Sequence, residues 1–262
     1  MIQRFNPKAL AKHSSEFSIR GFVIIRNLLT PEEVNIFSEE CDRLLNIPEL
    51  IHEDNWRSWF RKTTTGEKLF EKLDPAIDIS PLIRKLTCSK NIISIVSEIL
   101  KDEVLLFKDK LIFKPPRQNG YSLHQDYAWW QEFNADDLCS VLISLDYSDI
   151  SNGGVEFFPE CHKQLLTPIG EERSIFSWEF SQLRISQGEL IALHPGDAVV
   201  FHSLCPHRSG ENQSLSQRRH IYLTYSAARI GDQYQQQQKM YRESLKNRTS
   251  MSEKEVAQKF FR

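Results

Sequence analysis

The sequence predicts a β-sandwich or barrel braced by helices. Amphipathic helical patterns occupy the chain up to Leu100. Short apolar runs rich in β-branched and aromatic residues follow, and turn signals separate them. At 262 residues the chain is long for an average domain, but sandwiches and barrels with helical additions reach this size as one unit. One domain over 1–262 is therefore expected, with a helical part over 1–103, a β core over 104–230 and a helical tail over 231–262.

Taken in order, Gly21-Phe-Val-Ile-Ile-Arg26 reads as a strand. Thr30 is a good N-cap, Pro31 suits the first helical position and Glu33 can close a capping box. Val34, Phe37, Cys41, Leu44 and Leu45 then recur at the spacing of one helical face. Residues 53–78 are polar and weakly periodic despite Trp56, Trp59 and Phe60, and are expected to be a loop-rich insert. Residues 81–100 read as one helix, with Leu82, Ile83, Leu86, Ile92, Ile95, Val96 and Ile99 near one side. Strands are expected over 104–113, 138–147, 154–158, 189–194, 198–204 and 220–226. Pro115-Pro116, Asn152-Gly153-Gly154 and Pro195-Gly196-Asp197 supply turns between them. The tail from Tyr234 is expected to be a helix lying on the surface.

Composition narrows the function. With 40% hydrophobic and 26% charged residues the chain can bury an ordinary core. A formal net charge of -2 argues against a general nucleic-acid binder. No run approaches the ~20 apolar residues of a membrane span, and Met1-Ile-Gln-Arg-Phe-Asn-Pro-Lys lacks the apolar core of a signal peptide. The cysteines (Cys41, Cys88, Cys139, Cys161 and Cys205) are scattered, odd in number and without a CxxC pair. A reducing, cytoplasmic setting is expected, with neither a disulfide framework nor a Cys-rich zinc site.

The sharpest chemical signal is Leu123-His124-Gln125-Asp126-Tyr127. On a strand, residues i and i+2 share a face, so His124 and Asp126 would point the same way. His207 is the leading third ligand and His202, in an apolar run, its rival. Two His and one carboxylate form the facial triad of non-haem Fe(II) oxygenases, which leaves coordination positions open. An H-x-D triplet is common by chance, and a zinc hydrolase could use the same three ligands. Arg218 favours the first reading. It lies 11 residues after His207, across a turn containing Gly210 and Asn212. If 198–204 and 219–226 pair, Arg218 returns near the metal and can grip a dicarboxylate. Lys110 and Lys114 share a strand face, and Lys110 is the better placed to meet a co-substrate or substrate anion. Tyr127, Trp129 and Trp130 can wall a substrate pocket, and one of Tyr127 and Trp129 is expected to touch substrate. His162, His194, His202 and His220 read as structural.

From about Gly21 to Ser226 the chain resembles the phytanoyl-CoA dioxygenase family of Fe(II)/2-oxoglutarate oxygenases. The resemblance is carried by Lys114-Pro115-Pro116, His124-Gln125-Asp126, Ser151-Asn-Gly-Gly-Val-Glu-Phe-Phe-Pro159 and His162-Lys163. It continues through Pro195-Gly-Asp-Ala-Val-Val-Phe-His202, His207-Arg-Ser-Gly-Glu-Asn-Gln-Ser214 and Arg218. It implies a double-stranded β-helix (jelly-roll) core, iron on His124, Asp126 and His207, and the far carboxylate of 2-oxoglutarate on Arg218 and Ser209. It further implies O2 as oxidant, ascorbate as a supporting reductant and hydroxylation of an unactivated C–H bond in a small metabolite, with release of succinate and CO2. Related halogenases carry a small residue where Asp126 stands, so halogenation is not expected. Desaturation or cyclisation remains the alternative, with a non-catalytic jelly-roll binding module further behind. One departure is Pro159-Glu160-Cys161-His162, where the family commonly reads Pro-Gly-Ser-His.

Overall fold

The computed structural model describes residues 6–63, 65–171 and 173–249. In chain order it runs through α1 (Pro7–Arg20), β1 (Phe22–Ile25), α2 (Pro31–Leu45), β2 (Ser58–Lys62), β3 (Lys68–Leu73), α3 (Pro81–Thr87) and α4 (Lys90–Leu100). Then come β4 (Val104–Lys114), β5 (Leu138–Ser144), β6 (Val155–Phe157), β7 (Glu189–Leu190), β8 (Ala198–His202), β9 (His207–Ser209), β10 (Arg218–Ala227) and α5 (Tyr234–Thr249). A seven-stranded sheet has the order β1-β8-β5-β10-β4-β3-β2, and a three-stranded sheet the order β7-β6-β9. Together they make a jelly-roll core.

Alternation along the strands sorts side chains between two apolar cores. Val23, Leu111, Phe113, Val141, Ile143, Val200, Ile221 and Leu223 point outward to the core shared with Val34, Phe37, Leu44, Ile92, Ile95 and Val96 of the helices. Phe22, Ile112, Leu142, Val199, Phe201 and Tyr222 point inward, against Val155, Phe157 and Ile191 of the smaller sheet. A sheet covered on both faces explains why its central strands read as near-continuous apolar runs.

The start of α2 is capped as expected. Thr30 accepts from the Glu33 amide at 3.1 Å while the Glu33 carboxylate accepts from the Thr30 amide at 2.8 Å, closing the capping box. Four expectations need correction. The single helix over 81–100 is two, because Ser89 turns to an extended backbone (φ -60, ψ 125) before α4 begins. The insert over 53–78 contains the β2–β3 hairpin, which extends the large sheet beyond β4. The pairing of 198–204 with 219–226 is not made, since β10 is occupied along its length by β4 on one edge and β5 on the other. Finally, α5 does not simply lie on the surface. Gln237 and Gln238 are buried, and Tyr234 donates a 2.8 Å hydrogen bond to Asp109. Residues 250–262 of the expected tail lie outside the described residues.

Glu40 ties two of the bracing helices together. It is 6% exposed and accepts from Arg43 at 2.7 Å twice and from the Ser80 hydroxyl, the N-cap of α3, at 2.5 Å. The Arg43 hydrogen bonds hold its carboxyl below the ordinary range, against the opposing effect of burial. A depressed folded-state pKa contributes stability that is present above the unfolded value and lost as pH falls through the folded one. Glu40→Gln is therefore expected to cost about 1–2 kcal/mol at neutral pH. The deficit should narrow as pH falls below the ordinary glutamate range and through the lower value of the folded protein, where the wild-type carboxyl also protonates. Urea melts of both proteins across that range measure it.

Candidate active site

His124 and His207 face each other across an antiparallel bridge. The His124 amide donates to the His207 carbonyl at 3.1 Å, and the reverse bond is 3.0 Å. The ring centroids are 4.3 Å apart. Each imidazole is oriented by a backbone carbonyl two residues earlier: His124 Nδ1 lies 2.7 Å from Ser122 O and His207 Nδ1 3.0 Å from Cys205 O. A carbonyl can only accept, so both Nδ1 atoms carry the proton and both Nε2 lone pairs are free. Beyond His124 the chain leaves the ladder. Asp126 opens a 3-10 turn (Asp126–Trp129) rather than continuing the expected strand, and Tyr127 N donates to Ser203 O at 3.0 Å. The convergence survives: one ligand atom from each of His124, Asp126 and His207 lies within 4.8 Å of the others.

Electrostatics suit a cation there. Burial pushes the His124 imidazole down to about 3 and lowers that of His207 as well. Both are neutral near pH 7, so the 3.9 Å approach of His124 Nε2 to Asp126 is no ion pair. Burial raises the Asp126 carboxyl, but the positive charges around it, Lys110 first, outweigh it and hold the group below its ordinary value. Two neutral nitrogens and one carboxylate oxygen, converging and dehydrated, fit an octahedral non-haem iron with open positions. His202 is not part of the cluster: its Nε2 lies 3.3 Å from Asp136 and its Nδ1 accepts from Leu204 N at 3.0 Å.

Arg218 and Ser209 lie nearby. Ser209 shares the β9 face of His207. Its hydroxyl accepts from Lys114 Nζ at 2.9 Å and from Tyr121 N at 3.1 Å, so its proton remains to be donated. Arg218, His220 and Tyr222 alternate along the inner face of β10, with Arg218 opposite Lys114. Arg218 is 2% exposed, its Nε has no hydrogen-bond partner, and it forms no ion pair among the described residues. Its Nη1 lies 2.9 Å from His220 Nε2. Burial, then Arg218 and Lys114, push that imidazole well below its ordinary pKa and keep it neutral. Burial also lowers the Arg218 pKa, with only weak opposition from Tyr222, Tyr121 and Asp146.

A cavity of about 350 Å³ opens beside the cluster. Lys110, Trp129 and Trp130 line it together with His124 and Asp126. Tyr127 does not: its hydroxyl donates to Phe133 O at 2.9 Å and its ring joins a small apolar cluster. Of the expected aromatic pair, Trp129 is thus the one facing the cavity. His162 packs 5.5 Å from His202 and His194 5.3 Å from Tyr147, as structural side chains. Sequence reasoning missed Trp59, Lys72 and Asp74 from the hairpin and the turn after it, Lys108 from β4, and Tyr241 from α5. The available signal was Gly66, which turns the hairpin at φ 87 between two apolar-polar runs.

The sequence profile of the phytanoyl-CoA dioxygenase (PhyH) family matches residues 17–221. A methylphosphonate hydroxylase from Gimesia maris is 26% identical over 212 residues, covering 81% of this chain and 78% of its own. A 2-aminoethylphosphonate dioxygenase from the uncultured bacterium HF130_AEPn_1 is 26% identical over 228 residues, covering 84% and 83%. The crystal structure of EctD from S. alaskensis with 2-oxoglutarate and 5-hydroxyectoine shares the fold, with a TM-score of 0.73 at 19% identity, covering 87% of this chain and 80% of that one. With the profile spanning most of the chain, the protein belongs to the phytanoyl-CoA dioxygenase family and is an Fe(II)- and 2-oxoglutarate-dependent dioxygenase.

Proposed function

We propose that His124, Asp126 and His207 hold the iron, that Arg218 and Ser209 hold the far carboxylate of 2-oxoglutarate, and that Lys110 meets the same co-substrate from the cavity side. The observation that carries this reading is the buried, unpaired Arg218 guanidinium. A buried cation without an anion is costly, and a dicarboxylate supplies the missing charge through a bidentate contact. The Ser209 hydroxyl, its lone pairs occupied by Lys114 and the Tyr121 amide, has its proton left for the same carboxylate. Neutral His220 supports the guanidinium from behind without competing for the anion.

When bound, iron and 2-oxoglutarate supply an O2-derived oxidant able to break an unactivated C–H bond, with formation of succinate and CO2. The residues of this chain bind and orient. Ser122 and Cys205 fix the imidazoles, Phe157 and Phe201 pack around His207 at 5.7 and 5.0 Å, and Trp129 meets His124 edge-on at 5.6 Å. Trp130 and Phe133 exclude water from the far wall. The product is an alcohol of a small metabolite, and the cavity volume supports a substrate of that size. The net charge of -2 supports a small molecule over a nucleic acid, and no helix among the described residues is long and apolar enough to cross a membrane. Five unpaired cysteines support a reducing, cytoplasmic setting. Helices packed on the large sheet at α1, α4 and α5 support one domain over 1–262.

Three outcomes are expected. With Fe(II), ascorbate and O2, the protein should convert 2-oxoglutarate to succinate, measured by mass spectrometry; absence of turnover across a broad metabolite panel, uncoupled decarboxylation included, would sink the assignment. Asp126→Ala and His207→Ala should each abolish stoichiometric Fe(II) uptake in anaerobic calorimetry while leaving the far-ultraviolet circular dichroism unchanged. Arg218→Met should raise the KM for 2-oxoglutarate about 10- to 100-fold, the loss of one or two charge-assisted hydrogen bonds. Metal affinity should not change, and the thermal midpoint should not fall.

A further inference from the structure

The cavity carries more positive charge than the co-substrate reading uses. Lys72 of β3 stands opposite Ile112 of β4, and Lys108 and Lys110 share the Ile112 face. All three lysines line the cavity, as does Asp74. Asp74, 1% exposed, accepts a 2.6 Å hydrogen bond from Lys108 on Oδ1. Its Oδ2 has no hydrogen-bond partner, and Lys72 Nζ stops 3.6 Å short of it. One carboxylate therefore faces two ammonium groups. Glu71 also lines the cavity and acts on Lys72, but its charge is shared with Arg61 at 3.1 Å, and Asp126 belongs to the metal cluster. Glu132 and Glu243 line only the exposed rim.

Both ammonium groups are held in place by aromatic rings. Lys72 Nζ sits 4.5 Å from the centre of the Trp59 ring and Lys108 Nζ 4.1 Å from that of Tyr241. Those two rings stack at 6.2 Å, and Trp59 Nε1 donates to the Tyr241 hydroxyl. Lys72 makes no hydrogen bond among the described residues, so its donors remain available to the cavity. Burial pulls its pKa down to about 8, which an arriving anion would reverse.

We propose that Lys72, steadied by the Lys108–Asp74 pair, anchors an oxyanion of the substrate, which is therefore a small organic acid whose apolar body lies against Trp59, Tyr241 and Trp129. The proposal rests on the oxygenase reading of the same cavity. It is separate from the Arg218 end of the co-substrate site: β4 lies between Lys72 on β3 and Arg218 on β10, and Arg218 does not line the cavity, which Lys110 shares with both ligands. Phosphonate, phosphate ester and carboxylate share the required chemistry. Two ammonium groups on one wall grip any of them, and an uncharged amide leaves the excess charge in place.

The test uses full-length protein loaded with Fe(II) and saturating 2-oxoglutarate under anaerobic conditions, titrated calorimetrically. The probes are ethylphosphonate, ethyl phosphate, butyrate and uncharged butyramide. At least one oxyanion should bind and butyramide should not, with the tightest probe identifying the headgroup. Lys72→Met should weaken oxyanion binding about 10- to 100-fold, and Lys72→Arg should restore most of it. The 2-oxoglutarate affinity of Lys72→Met should equal that of wild type. Its thermal midpoint should hold, because Asp74 keeps its hydrogen bond to Lys108 and only the second of two ammonium groups sharing one carboxylate is removed. Equal oxyanion binding by wild type and Lys72→Met, or butyramide binding as well as butyrate, overturns the proposal. If 2-oxoglutarate binds and no oxyanion does, this inference alone falls; if 2-oxoglutarate fails to bind, the oxygenase reading falls with it.

Discussion

Two backbone hydrogen bonds between His124 and His207 set the geometry on which the site depends. They set the imidazoles beside each other, tilted by 52°, before any metal is considered, since an antiparallel hydrogen-bonded pair has a nearly invariant Cα separation of about 5.5 Å. Carbonyls at Ser122 and Cys205 then choose the tautomer of each ring. The metal-facing nitrogens are thereby defined by main-chain geometry, which side-chain substitution elsewhere in the pocket leaves in place. Asp126 completes the triad only because the chain bends into a 3-10 turn immediately after the bridge. Gln125 braces that bend through the Leu166 amide and the carbonyls of Gln164 and Leu204.

Around this fixed pair the inner face of the large sheet changes character along its length. Toward β5 and β8 it presents Leu142, Val199 and Phe201 to the opposing sheet and is dry. Toward β4 and β3 it presents Lys114, Lys110, Lys108 and Lys72, with Arg218 and Tyr222 on the neighbouring β10. Lysines at alternate positions in a central strand are unfavourable unless each has a partner. Lys108 has Asp74 and Lys114 has Ser209 with the Gly210 carbonyl. Among the described residues Lys110 makes no hydrogen bond, meeting the Tyr222 ring at 4.8 Å and the charge of Asp126, and Lys72 meets the Trp59 ring and, at 3.6 Å, Asp74 Oδ2. Both of these lysines border the cavity.

Legibility in the sequence followed the strength of local constraint. The Thr30-Pro31-Glu32-Glu33 cap and the apolar strands were readable because each is a short local pattern, and the convergence of His124, Asp126 and His207 because the motifs around an otherwise common H-x-D triplet narrowed its meaning. The Ser89 break within 81–100 was not, because Ser is both a tolerable helix residue and a good N-cap. The β2–β3 hairpin was hidden by its composition: Arg61, Lys62, Lys68, Glu71 and Lys72 make it look like solvated loop. Its charges are paired or turned into a cavity that exists only once the sheet has assembled. Arg218 was found by its distance from His207, yet the reason first given for its approach was wrong, since β5 separates β8 from β10.

The β2–β3 hairpin and α5 wall the same side of the cavity, and a single carboxylate joins them. Asp109 on the outer face of β4 accepts from the amides of Ala76 and Ile77 at 2.6 and 2.9 Å, fixing the turn that follows the hairpin. It also accepts from Tyr234 at the start of α5 at 2.8 Å. From that tether α5 lays Tyr241 against Trp59 and Lys108, closing the wall that the hairpin begins. Catalytic geometry thus rests on strands whose pattern is strong. The cavity wall that the Lys72 proposal assigns to substrate rests on a hairpin and a polar helix with little hydrophobic drive of their own, held by polar contacts to the core. Such elements can change sequence, and with it the substrate, without disturbing the His124–His207 bridge.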